Sequence, residues 1–148
     1  VISMNFRLQD IRENMELSQK EVADILKVSQ PTYSRWEKEV EIIPLNKLIL
    51  LANYYGISLD YICNLSNIKK ESKAYNYKVD KKISGNNIVT FRKEKNLTQK
   101  ELALFLNTTP STVCAYEKGK TLILTSFAYQ ICKRYNVSMD YICGITKD

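Results

Sequence analysis

The sequence predicts an all-α protein made of two five-helix units in tandem, on three observations. The chain repeats itself when slid by 80 residues, apolar residues recur at helical spacing, and Ser/Thr-x-x-Glu helix starts sit at matching places in both copies. Leu17-Ser18-Gln19-Lys20-Glu21 falls on Leu97-Thr98-Gln99-Lys100-Glu101, and Trp36-Glu37-Lys38 on Tyr116-Glu117-Lys118. Ser58-Leu59-Asp60-Tyr61-Ile62-Cys63 falls on Ser138-Met139-Asp140-Tyr141-Ile142-Cys143. The register holds without a gap from Leu8/Ile88 to Leu65/Ile145. The expected domains are residues 4–65 and 87–148, joined by a Lys-rich linker over 66–86.

In the first unit, helix 1 is expected over Phe6–Asn14, burying Leu8, Ile11 and Met15. Ser18-Gln19-Lys20-Glu21 reads as a capping box, so helix 2 starts at Gln19 with Val22, Ala23 and Leu26 inward. After a turn at Lys27-Val28, Ser29 caps helix 3, Gln30–Glu37, with Pro31 in the first turn and Trp36 in the core. Helix 4 covers Leu45–Tyr55 and stops at Gly56; Ser58 caps helix 5, Leu59–Asn64. The second unit repeats this: a capping box at Thr98, a helix capped by Thr109 and opened by Pro110, Tyr116 for the tryptophan, a helix over Ser126–Tyr135, and Ser138 as the last cap. No strand is expected inside either unit. A short one is the minor reading for Tyr75–Val79 in the linker, where aromatic and β-branched residues alternate with polar ones.

Composition narrows the function. Apolar content of 45% suffices for folded cores. No run of about 18 apolar residues is present, and the N-terminus lacks a basic segment followed by an apolar one, so neither membrane span nor signal peptide is expected. Met4 is the expected start, and the cytoplasm the expected location. With no histidine, imidazole catalysis and the commonest zinc ligand are gone. Cys63, Cys114, Cys132 and Cys143 show no C-x-x-C spacing and read as reduced, largely packed thiols, with a disulfide or metal site as the alternative. No enzyme, cofactor or metal is expected. Net charge is +6 and uneven: residues 1–65 carry 7 Lys/Arg against 9 Asp/Glu, and residues 86–148 carry 9 against 5. Such a balance suits a polyanionic partner.

The stretch from Gln19 to Glu37, followed by Tyr55-Gly56-Ile57-Ser58-Leu59-Asp60-Tyr61-Ile62, resembles the Xre/Cro (lambda-repressor-like) helix-turn-helix family, and the second copy resembles it again. The resemblance implies double-stranded DNA as partner and a transcriptional regulator, a repressor, as function. It places Ser29, Gln30, Pro31, Thr32, Ser34 and Arg35 on the reading helix of the first unit, with Gln19 and Lys38 at phosphates. In the second unit the same places fall to Gln99, Thr109, Pro110, Ser111, Thr112, Lys118 and Lys120. The physics is independent of the name: a helix presented N-terminus first fits a major groove about 12 Å wide, where Gln suits adenine and Arg suits guanine.

The second unit departs from a good reader, since Pro110, Ser111, Thr112 and Ala115 lack long hydrogen-bonding side chains. It has instead the basic turn Lys118-Gly119-Lys120, where the first unit has Lys38-Glu39-Val40-Glu41, whose acids suit phosphate poorly. The resemblance implies a left-handed residue at the first place of the turn, usually glycine in the family, and so positive φ at Lys27 and Asn107. The recurrence of Arg12 with Glu37 as Arg92 with Glu117 points to ion pairs tying helix 1 to helix 3. The other reading is a protein-interaction module, antitoxin-like or adaptor, in which one or both units no longer bind DNA. A competing picture has the two units packing against each other, or a second copy of the chain as partner, with Leu104 and Phe105 as packing residues.

Overall fold

The computed structural model describes residues 3–69 and 77–147. The chain divides into two compact units, Val1–Asn76 and Tyr77–Asp148. The N-terminal unit runs α1 (Leu8–Asn14), α2 (Gln19–Leu26), α3 (Gln30–Glu37), α4 (Leu45–Tyr55) and α5 (Leu59–Ile62). The C-terminal unit runs β1 (Tyr77–Val79), α6 (Lys81–Glu94), α7 (Gln99–Leu106), α8 (Pro110–Glu117), α9 (Thr125–Tyr135), α10 (Met139–Ile142) and β2 (Ile145–Lys147).

Each start signal acts as its chemistry requires. Ser18 and Thr98 accept the N–H of Glu21 and Glu101, and those glutamates accept the N–H of Ser18 and Thr98 in return, so both capping boxes close. The inward stripes Val22, Ala23, Leu26 and Leu102, Ala103, Leu106 are buried. Leu48, Leu51 and Ile62 are buried in the N-terminal unit with the first stripe, and Ile88, Phe91, Ile131 and Ile142 in the C-terminal unit with the second. Leu8 and Ile11 are buried as expected, whereas Met15, expected with them, is 47% exposed. Lys27 (φ 59°) and Asn107 (φ 57°) both lie in the left-handed region after α2 and α7, as the family resemblance implies. Asparagine tolerates that conformation and lysine is strained by about 1 kcal/mol. Lys27→Gly is accordingly expected to stabilise the N-terminal unit by up to about 1 kcal/mol in urea unfolding, and a destabilised variant would contradict this account of the turn.

Two further expectations are corrected. A strand lies inside the C-terminal unit, where none was expected: β2 pairs antiparallel with β1, Tyr77 opposite Lys147 and Val79 opposite Ile145. The β1 strand itself bears out the minor strand reading over Tyr77–Val79. Tyr75 and Asn76, from the strand reading of the linker, lie outside the described residues. The second correction is at residues 77–86, assigned to the linker, which are strand and helix of the C-terminal unit. Asp80 caps α6, its carboxylate accepting the N–H groups of Lys82 and Ile83 at 2.8 and 3.1 Å. Ser84 and Gly85 are buried rather than solvated. The Ser84 hydroxyl donates to the Ile142 carbonyl at 2.7 Å. A Cβ on Gly85 would stand 2.5 Å from the Tyr116 carbonyl oxygen, so the glycine is there to let α6 touch the end of α8. The first unit has no such extension: Asn5, in register with Gly85, has φ 55°, and α1 begins only at Leu8.

Candidate nucleic-acid interface

Both copies build one outward-facing helix in the same way. Ser29 and Thr109 have extended backbones, and their hydroxyls accept the N–H of Thr32 and Thr112 at 3.3 and 3.2 Å. Each hydroxyl also bonds the Oγ1 of that threonine, at 2.9 and 3.0 Å. Tyr33 and Trp36 of α3, and Val113 and Tyr116 of α8, are buried. Their three-residue spacing gives each helix one inner face. Gln30, Pro31 and Lys38 are left exposed, with Ser34 and Arg35 half-exposed. On α8, Pro110, Ser111 and Lys118 are exposed, as is Lys120 beyond it.

A buried ion pair fixes each of these helices from behind. Arg12 donates through Nε to Glu37 Oε2 at 2.6 Å and through Nη2 to Oε1 at 3.2 Å, while Nη1 reaches the Leu17 carbonyl at 2.8 Å. Arg92 makes the same three bonds to Glu117 and the Leu97 carbonyl at 2.6, 3.1 and 3.0 Å. The Glu37 side chain is 3% exposed. Burial alone would raise its pKa, but the hydrogen bonds from Arg12 and Gln19 outweigh it and hold the carboxyl below its ordinary value. The expected pairs are therefore present, and they tie α1 to α3 and α6 to α8.

The pair also claims a residue assigned to phosphate. Gln19 donates from Nε2 to Glu37 Oε1 at 3.0 Å, and Gln99 does the same to Glu117 at 2.9 Å. One of the two amide N–H donors of each glutamine is thus committed inside the protein.

The turn after the outward helix is where the copies diverge. Glu39 (φ 56°) and Gly119 (φ 71°) hold the same left-handed position. The Glu39 carboxylate accepts the backbone N–H of Met4 at 2.8 Å and of Phe6 at 2.9 Å, tying down the segment before α1. Glu41 accepts from Arg35 Nε at 3.0 Å, and Arg35 Nη2 donates to Thr32 Oγ1 at 3.3 Å. Both acids, read from sequence as poor neighbours for phosphate, have partners within the unit. In the second copy Gly119 lies against α6, where a Cβ would stand 3.1 Å from Lys82 Cα.

Of the candidate residues in the C-terminal unit, Gln99, Pro110, Ser111, Lys118 and Lys120 gather around one open depression of ≈ 330 Å³. Cys114 lines it as well, half-exposed, and was missed; the 80-residue register with Ser34 is the signal that finds it. In the N-terminal unit Lys38 borders a second depression with Ser3, Asn5 and Gln9, which no sequence pattern marks. Cys63, Cys132 and Cys143 are buried and Cys114 is half-exposed, and none of the four is in a disulfide. Among the described residues there is no cluster able to hold a metal ion, and no helix long and apolar enough to cross a membrane.

Comparison with known proteins agrees with this architecture. A helix-turn-helix family model matches residues 8–62 and again 88–142. The chain is 33% identical over 60 residues to YobD, an uncharacterised HTH-type transcriptional regulator of Bacillus subtilis (strain 168), over 40% of this chain and 54% of that protein. It is 26% identical over 72 residues to the HTH-type transcriptional regulator ImmR of the same organism, over 49% of this chain and 57% of that protein. The matches thus span about half the length of these curated relatives. A crystal structure of the clp gene regulator ClgR from Corynebacterium glutamicum aligns with 44% of this chain and 69% of its own, at 20% identity and a TM-score of 0.40. With both copies matched, the chain belongs to the Xre-type helix-turn-helix family.

Proposed function

We propose that the chain is a sequence-specific double-stranded DNA-binding transcriptional regulator, acting as a repressor, and that α3 of the N-terminal unit reads the major groove. The observation that carries this reading is the outer side of α3. It exposes Gln30 in the first turn and offers Arg35 with only two guanidinium N–H donors committed, to Glu41 and Thr32. Both side chains are of the kind that bonds bidentately to a base edge. The C-terminal unit supplies backbone affinity through Lys118 and Lys120, with little base preference from Pro110 and Ser111. Leu104, 81% exposed on α7, favours a second copy of the chain as an additional partner, whereas Phe105 already packs edge-on against Tyr135.

The test is selection of a duplex from a random pool, followed by binding measurements at several salt concentrations. Arg35→Ala is expected to lower affinity for the selected site by about 1–3 kcal/mol while leaving binding to unrelated duplex nearly intact, and Gln30→Ala to act similarly at a neighbouring base. If both variants hold the selected site like the parent, α3 does not read it. Footprints separate the two assemblies: an asymmetric site protected by one chain, or a symmetric one protected by two.

A further inference from the structure

Arg35 is held before any ligand arrives. Glu41 takes its Nε at 3.0 Å and Thr32 takes one Nη2 hydrogen at 3.3 Å. Glu41 is itself seated on the residue it holds. After Glu39 turns the chain at φ 56°, the N–H groups of Val40 and Glu41 both bond the Arg35 carbonyl, at 3.0 and 3.4 Å. The second copy lacks both members together, with Ala115 at the place of Arg35 and Thr121 at that of Glu41. An acid beside a DNA-reading helix repels phosphate, and an exposed ion pair adds little to stability, about 0–1 kcal/mol. The Arg35 and Glu41 side chains are 43% and 52% exposed, so folding does not explain the pair.

We infer that Glu41 is a specificity-determining positioning residue. By occupying Nε it turns the terminal Nη edge of Arg35 toward a guanine O6/N7 pair, and it fixes a long side chain that would otherwise lose rotamer freedom on binding. This rests on α3 being the reading helix and adds the residue that sets how its arginine reads.

The experiment compares Glu41→Ala, Glu41→Gln, Arg35→Ala and the Arg35→Ala/Glu41→Ala double variant in the full chain. Each is measured on the duplex the parent selects and on duplexes with single base pairs replaced, at one salt concentration. Glu41→Ala is expected to lose about fivefold or more of the discrimination at the one base pair that Arg35→Ala also ceases to read, the lower end of what a bidentate contact is worth. Its affinity for unrelated duplex stays level or rises, because a negative charge has gone. Glu41→Gln, which keeps an acceptor for Nε, gives an intermediate ratio, and in the Arg35→Ala background Glu41→Ala changes no base ratio. A Glu41→Ala chain that discriminates as well as the parent, or better, overturns the positioning role and leaves DNA reading standing. A parent chain that selects no duplex at all overturns the reading beneath it.

Discussion

Replacing Arg12 with alanine is expected to lower the stability of the N-terminal unit by about 3–5 kcal/mol, because it strands a carboxylate that is 3% exposed. The chain's single tryptophan, Trp36, neighbours Glu37 in the N-terminal core, so its fluorescence reports this unit alone while helical circular dichroism reports both. Arg12→Ala should move the fluorescence transition to lower urea and leave a later, C-terminal dichroism transition in place. Acid sharpens the test. Glu37 titrates below its ordinary value in the folded unit, so its stabilisation is present above the unfolded carboxylate pKa and is lost as pH falls through the folded one. The penalty of Glu37→Gln should therefore be largest near neutrality and shrink below about pH 4. A penalty that is flat or grows in acid would show that the charge of Glu37 is not what stabilises the unit.

Gly85→Ala should destabilise the C-terminal unit by about 2 kcal/mol or more, the cost of forcing a methyl into a filled site. This runs against propensity, since alanine is the better helix former by about 1 kcal/mol. Sterics win because the added carbon would lie 2.5 Å from the Tyr116 carbonyl oxygen and 2.6 Å from that of Glu117, backbone atoms that cannot swing aside. The dichroism transition of the C-terminal unit should shift while Trp36 fluorescence stays unmoved. Equal or greater stability would mean that α6 and α8 do not pack this closely.

The contrast between these two sites shows what a sequence can display. The Arg–Glu pairs and capping boxes are legible because each is either local or stated twice at the same spacing, and the left-handed turns at Lys27 and Asn107 are legible through the family resemblance. The start of α6 is not. Ser84-Gly85-Asn86-Asn87 has the composition of a turn, and only the approach of the α8 carbonyls shows that its glycine serves closeness rather than bending. The alternation around β1 was legible, but its pairing with β2 joins segments from opposite ends of one unit, and the three residues of β2 are too short for a period to register. The outward helix was readable through its Ser29 cap, the inward Trp36 and the family resemblance, whereas the hold of Glu39 on Met4 and Phe6 has no periodic trace, because its partners lie more than thirty residues away.

The exchange of Glu39 for Gly119 makes the two copies poor donors of parts to one another. Grafting the turn Lys118-Gly119-Lys120 onto α3 would leave the Met4 and Phe6 amides without their carboxylate, and the segment before α1 would come loose. Grafting Lys38-Glu39-Val40 after α8 would crowd a side chain against α6, its Cβ 3.1 Å from Lys82 Cα. A chimera that changes which bases are read must therefore transplant the outer face of the helix alone and keep each host's own turn, since the turn is matched to the chain that leads into its unit.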